Sequence, residues 1–404
     1  MKFQINNINI NQDTNYFKYI LVLFFIILFF FEIINQKKSS EESLNNSFRP
    51  SGNNITKLDI NQYITNNQNK TLILLNGKKF IDKCLNEHNI TKISKNNLKP
   101  IISAIIPVYN CEKTIYSSIC SIISQNYSEF EIILINDFST DNSSKIIGKL
   151  KEIDSRIKIL NNKKNMGSLY SRSIGVLMSS GEYIFPLDND DMFFSSDLFN
   201  SILNVAQGYN FDIVGFRATC INSYEDINIK NIYDLYDYNL YPNSIIVHQP
   251  RLSTWMIIKD GIYLPHDVTI WGKCIKSKIY KEAIIKIGQK RFSIFVSWAE
   301  DTIINFIIFS IAQSFIFIHK YGIIHLNNLS TASYSMPEDI RIFGEIFFVD
   351  ILYEFLKNNT DKNYAVMALY YVKKYFNIDK YCNNIDNLNY FKSIFFHFKL
   401  LYLD

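Results

Sequence analysis

The chain has no Cys-x-x-Cys pair. Its six cysteines, Cys84, Cys111, Cys120, Cys220, Cys274 and Cys382, are scattered along 404 residues. A zinc site built on paired cysteines is therefore not expected, while disulfides in an oxidising compartment and free buried thiols both remain open. Glycine and proline are scarce, at 13 and 8 residues, which excludes collagen-like and linker-dominated chains. An excess of one charge is also missing: 42 basic residues stand against 38 acidic ones, a net +4. That balance offers no basic stripe to a phosphate backbone, and nucleic acid is not expected as a partner. Neither G-x-G-x-x-G after the first predicted strand nor G-x-x-x-x-G-K-[ST] occurs, so the dinucleotide fingerprint and the P-loop are both absent. A nucleotide phosphate bound here would need another counter-charge, such as a metal held on carboxylates.

What is present is enough apolar material for a core, 48% of residues against 20% charged. Residues 16–34 read YFKYILVLFFIILFFFEII, with Lys18 and Glu32 as their only charges. Such a run approaches the roughly 20 residues that a helix needs to cross hydrocarbon. It shows no polar stripe, as a core helix would, and no small-residue end, as a cleaved signal would. The expectation is a retained anchor over 16–35, after a tail at 1–15, with a cleaved signal and secretion as the alternative. Flanking charge does not orient it, because Lys2 and Lys18 precede it and Lys37 and Lys38 follow. Residues 36–98 are polar and Asn/Ser/Lys-rich, a spacer with sequons at Asn45, Asn54, Asn69 and Asn89.

The pattern changes at Pro100. Apolar runs at 101–107, 131–136, 156–160 and 182–187 suit strands, and 112–125, 141–151 and 168–179 carry helical spacing between them. Strands alternating with helices indicate a doubly wound, mostly parallel α/β sheet, whose ligands bind beyond the carboxyl ends of the strands. After Asp191 the alternation weakens. Three helical stretches are expected at 339–357, 361–376 and 388–402, the last aromatic-rich and suited to packing or to a membrane surface.

Polar clusters fall where such a sheet binds ligands. Asp137, at the end of a predicted strand and followed by Ser139 and Thr140, suits an N-cap or an acceptor for a base N–H or ribose hydroxyls. Asp188, Asp190 and Asp191 place three carboxylates within four residues directly after another strand. Such a group repels itself unless a cation offsets it, and hard oxygen ligands suit Mg²⁺ or Mn²⁺; a surface acidic turn is the alternative. Glu300-Asp301 precede a helix-like run, a position that favours acids with or without chemistry.

In order, the motifs are Ser103-Ala104-Ile105-Ile106-Pro107-Val108-Tyr109-Asn110, Asn136-Asp137, Asn165-Met166-Gly167 with Ser171-Arg172-Ser173-Ile174-Gly175, and Gly181-Glu182-Tyr183-Ile184 leading to Leu187-Asp188-Asn189-Asp190-Asp191. Together they resemble the family 2 glycosyltransferases of GT-A fold, over roughly 100–333. The resemblance implies a GT-A domain at 99–335, with a helical extension at 336–404. It implies a nucleotide-sugar donor, UDP-linked, and a glycan, glycoprotein or lipid acceptor.

By the same resemblance, Pro107, Val108 and Tyr109 would form the uracil turn, with Asp137 bonding the ring N–H. Asn165, Gly167 and Arg172 would line the uridine pocket. Asp188 would approach the ribose or the metal shell, Asp190 would ligate Mn²⁺ or Mg²⁺, and His325 is a further candidate near the diphosphate. Asp301, with Glu300, would be the base that takes the acceptor proton, and Trp271 and Lys273 are candidates for the acceptor side. Ser173 departs from the family's usual Asn and Phe138 from a common Gly. The implied enzyme is a metal-dependent inverting transferase anchored as a type II protein, its catalytic body in the Golgi or ER lumen. Its rivals are a nucleotidyltransferase of related fold and a carbohydrate-binding protein on a decayed transferase fold.

Overall fold

The computed structural model describes residues 99–221, 269–288 and 294–326, the backbone of 233–234 and 245–248, and isolated residues between 291 and 351. The anchor, the spacer and most of the expected C-terminal helices lie outside these residues. Among the described residues no helix is long and apolar enough to cross a membrane.

Four parallel strands begin the sheet: β1 (Ile102–Val108), β2 (Phe130–Asn136), β3 (Ile157–Asn161) and β4 (Tyr183–Pro186). Helices α1 (Ile115–Ile123), α2 (Ser143–Ile153) and α3 (Ser168–Met178) connect them. The apolar runs of β1 and β2 are buried at every position, as expected of strands covered on both faces. Helix α2 starts later than its spacing suggests because Asp141 is used locally. Its two oxygens accept the N–H groups of Ser143 (2.9 Å) and Glu112 (3.0 Å), so it acts ahead of the helix.

Beyond β4 come β5 (Met192–Phe193), α4 (Leu198–Gly208), β6 (Ile213–Ile221), β7 (Tyr233–Asp234), β8 (Ile245–His248), β9 (Lys273–Lys276), α5 (Ser277–Ile287), α6 (Glu300–Ile311) and β10 (Ser314–Leu326). The sheet order is β3-β2-β1-β4-β9-β6-β10-β5, with β7 on β6 and β8 on β10. Strand β9 runs antiparallel to both β4 and β6, which makes the sheet mixed rather than simply doubly wound. The long β10 is parallel to β6 and its register shifts between Ile318 and Ile323. These register shifts blur its alternation, which is why no strand is legible there from the sequence.

One side of the sheet is filled by aromatic residues. Phe185 packs edge-on against Phe199 with centroids 4.9 Å apart, and Phe193 meets Phe199 at 5.3 Å. On α3, Gly175 lies so close to the sheet that a Cβ there would sit 2.5 Å from Ile135 Cδ1 and 2.8 Å from Ile105 Cγ2. This close approach fixes the distance between α3 and the strands beneath it. Gly175→Ala should therefore destabilise the fold by about 1–3 kcal/mol, the usual cost of overpacking. Urea unfolding checks it, and an unchanged midpoint would contradict the close packing.

Candidate active site

The carboxyl ends of β1, β2 and β4 present their loops at one edge of the sheet. The β1 and β2 loops are stitched together by their own polar groups. Asn110 Oδ1 accepts the Thr140 N–H (2.8 Å), and Ser139 Oγ accepts the Asn110 N–H (3.3 Å). Asn110 and Phe138 hold φ at 45° and 64°, a left-handed region that is costly for residues other than glycine. Tyr109 and Phe138 project from this platform, 45% and 53% exposed. Pro107 offers its carbonyl to Asn189 Nδ2 at 3.0 Å, while Val108 is fully buried beneath.

Asp137 is 3% exposed and holds the loop before α3. Its Oδ1 accepts Asn162 Nδ2 (2.7 Å) and the Met166 N–H (2.8 Å), and its Oδ2 accepts the Gly167 N–H (2.8 Å). Asn165 Oδ1 shares that last N–H at 3.0 Å. The carboxylate expected to meet a base is thus largely occupied in shaping the loop, and Oδ2 keeps the remaining acceptor capacity. Gly167 needs its freedom: φ is 85°, and a Cβ would lie 2.7 Å from the Val296 carbonyl oxygen.

Arg172, on α3, is 3% exposed. Its Nη1 donates to Asp301 Oδ1 (2.7 Å) and its Nη2 to Asp188 Oδ1 (2.8 Å). Expected in a uridine pocket, it instead joins the two acidic sites. Burial alone would weaken its protonated form, but Asp301 and Asp188 outweigh burial and raise its pKa above the usual value. Asp301 keeps 21% of its side chain exposed, and its Oδ2 accepts the Ile270 N–H at 2.9 Å. Burial pushes its pKa up, Arg172 pulls it back, and Glu300 and Asp188 push again, leaving it at about 7. Glu300 accepts Ser168 Oγ at 2.6 Å and is also raised, by burial against the opposing pull of Arg172. Both acids stand in the first turn of α6, behind Ala299 in a left-handed conformation at φ 60°.

Asp190 is raised to about 7 by burial and by the carboxylates of Asp191 and Asp188. A carboxylate crowded by like charges in this way fits a hard cation. Among the described residues, however, no three His, Cys, Asp or Glu side chains converge as a ready cage. The donor set suits an ion that takes one or two carboxylates and completes its shell with substrate phosphate, as Mg²⁺ does.

His325 turns out to serve Asp191: its Nδ1 lies 2.9 Å from Asp191 Oδ1, which also accepts the Leu326 N–H at 3.2 Å. Burial lowers its pKa, but Asp191 more than reverses this, to about 9. With Nδ1 on Asp191, Nε2 is the nitrogen through which His325 could meet a cation. Trp271 is 4% exposed and stacks on His325 with centroids 5.1 Å apart. Lys273 is fully buried on β9 and donates to the Thr269 carbonyl. Neither lies on an acceptor surface, because both side chains are consumed inside the fold.

Residues 103–261 match the model of glycosyl transferase family 2. The chain carries a family 2 glycosyltransferase domain. An uncharacterized glycosyltransferase of Haemophilus influenzae is 26% identical over 309 residues, covering 70% of this chain and 88% of that one. The UDP-Glc:alpha-D-GlcNAc-diphosphoundecaprenol beta-1,3-glucosyltransferase WfaP of Escherichia coli is 39% identical over 105 residues. That match spans 26% of this chain and 40% of WfaP, less than half of the relative. The crystal structure of S. aureus TarS 1-349 has a TM-score of 0.51 at 15% identity, covering 70% of this glycosyltransferase and 75% of TarS, and so shares its fold.

The bridging role of Arg172 escaped the motif reading. One signal pointed to it, since Arg172 is the only charged residue in SLYSRSIGVLM, the sequence of α3. A buried lone cation facing a carboxylate-rich edge needs anionic partners.

The raised acids have a measurable cost. An acid whose pKa is raised on folding binds more protons folded than unfolded, so stability falls as pH rises through the interval from about 4 to about 7. With chelator present, Asp190→Asn should raise the melting temperature by a few degrees at pH 8 and leave it unchanged at pH 4. Calorimetry at the two pH values checks this, and an equal shift at both would refute the charge strain.

Proposed function

We propose that this glycosyltransferase moves a sugar from a UDP-linked donor to a hydroxyl acceptor, in one inverting displacement that depends on a divalent metal. The observation that carries the reading is the Arg172 bridge, which brings the Asp188–Asp191 turn and the Glu300-Asp301 pair to one edge of the sheet. A donor site and a base must lie this near each other for an acceptor oxygen to reach the anomeric carbon. The UDP assignment is supported by the donor named for WfaP, which matches part of this domain.

In this reading Asp301 accepts the proton of the acceptor hydroxyl. The acceptor oxygen bonds to the anomeric carbon as the bond to the diphosphate breaks, and the diphosphate leaves with the electron pair. A pKa of about 7 suits a base at neutral pH. Arg172 keeps the carboxylate in place and favours its charged form, and Glu300, fixed by Ser168, tunes it through like charge. Mn²⁺ or Mg²⁺ on Asp190, with Asp188 beside it, would neutralise the developing charge of the diphosphate. Tyr109 offers an exposed face to the uracil, and Asp137, Asn165 and Gly167 form the loop beneath it.

The reading extends to the rest of the chain. Residues 16–35 anchor it as a single-pass type II protein with its catalytic body in the ER or Golgi lumen, 36–98 form the stem, and 336–404 extend a catalytic domain at 99–335. The acceptor is a glycan, glycoprotein or lipid.

Asp190→Asn should weaken Mn²⁺-dependent UDP binding and abolish turnover. Asp301→Asn should leave UDP affinity near wild type and slow transfer by roughly 10²–10⁴-fold, the usual share of a positioned base. Titration calorimetry beside UDP-release rates separates the two roles. Equal loss of UDP affinity in both variants would remove Asp301 from the base position, and wild-type turnover by Asp190→Asn would remove the metal.

A further inference from the structure

Helix α6 is mostly apolar along its buried length, yet it carries the amide of Asn305 at zero exposure. Asn305 stands four residues after Asp301, one helical turn further along the same face. Its Nδ2 donates to the Thr269 carbonyl oxygen at 2.8 Å, while its buried Oδ1 has no partner among the described residues. The atom facing a carbonyl must be the amide nitrogen, so this orientation is fixed by chemistry. A half-satisfied amide in an apolar interior costs stability, and packing alone does not call for one.

Thr269 and Ile270 share one peptide unit. Its carbonyl is held by Asn305 and by the Lys273 ammonium, and its N–H donates to Asp301 Oδ2 at 2.9 Å. In a trans peptide the carbonyl and the N–H point in opposite directions. The plane therefore lies along one turn of α6, its acceptor end on Asn305 and its donor end on Asp301. Two donors on the carbonyl also polarise the amide and strengthen its N–H.

We propose that the Thr269–Ile270 peptide is a positioning element for Asp301, held in register and polarised by Asn305 and Lys273. This gives Lys273 a purpose consistent with its full burial. Arg172 grips Oδ1 from the donor side and the peptide grips Oδ2 from behind, so the carboxylate plane is set at both ends. Asn305 and Lys273 touch neither donor nor acceptor; they act through the peptide. The proposal rests on the reading of Asp301 as the base.

The test uses the full-length protein with Mn²⁺ and either UDP-glucose or UDP-GlcNAc, water serving as acceptor, and follows UDP release. Asn305→Leu keeps the volume and removes the amide. Its UDP release should fall about 10–100-fold, the scale of a misplaced reacting group, with donor KM within about twofold of wild type. Combined with Asp301→Asn it should cause no further loss, since a residue that acts through Asp301 has nothing left to position. Independently of turnover, hydrogen exchange at the Ile270 amide should quicken at least about tenfold, while the amides of β1 keep their protection.

A loss that multiplies fully in the Asp301→Asn background would overturn the proposal, as would unchanged Ile270 exchange. If Asn305→Leu strips protection from β1, Lys273→Met and Asn305→Ser carry the same comparisons. Wild-type UDP release by Asp301→Asn would instead defeat the base assignment, and the exchange result would still decide whether Asn305 holds the peptide.

Discussion

The reactive edge is organised around one guanidinium. Arg172 is held on α3 at a distance from the sheet that Gly175 sets, and its two amino groups reach Asp188 on one side and Asp301 on the other. Without it, the partly buried carboxylates of Asp188, Glu300 and Asp301 would crowd together with little to offset them. With it, they are fixed in one geometry while Asp301 remains able to take a proton near neutral pH. The planar fork of arginine suits this task, because it holds two acids at defined directions where lysine would offer a point charge.

The same economy of contacts recurs around the edge. Asp137 binds three backbone and side-chain donors and so shapes the loop that ends at Gly167. That loop rests against Val296, on the segment that leads to Glu300. The donor-side turn and the start of α6 are thus in contact through backbone as well as through Arg172. Asp191, meanwhile, is fully buried and paired with His325, which in turn stacks on Trp271. Three adjacent acidic positions therefore have three different surroundings: Asp188 is paired, Asp190 is crowded by like charge, and Asp191 is neutralised from behind.

Much of this was legible in the sequence, and the reasons are physical. Strands buried on both faces read as continuous apolar runs, so β1, β2 and β4 stood out, and the polar clusters after them marked the binding edge. The motif order then tied Asp137, Asp188, Asp190 and Asp301 to one domain. Strand β9 was not legible, because four residues carrying two buried lysines resemble a surface turn until Asp212 and Asn210 are seen to satisfy Lys276. The pairings of Arg172 with Asp301 and of His325 with Asp191 were hidden for a similar reason: they join residues 129 and 134 positions apart in sequence, and only the fold brings them together. Trp271 and Lys273 looked available for an acceptor because residue type does not report which way a side chain on a short strand faces.

The reversal of β9 has an evolutionary reach. In a strictly parallel sheet, the chain that leaves β6 would have to cross to the amino edge before re-entering beside it. Because β9 runs the other way, the chain enters it opposite Gly215 and runs back toward the start of β6, while β8 pairs with the start of β10. Insertions, deletions or wholesale replacement between β6 and β9 can therefore be accommodated without reversing a strand. The elements that hold Arg172, Asp188 and Asp301, namely α3, the turn after β4 and α6, need not change their register to follow. One inverted strand separates the part of the molecule free to drift from the part that must stay fixed.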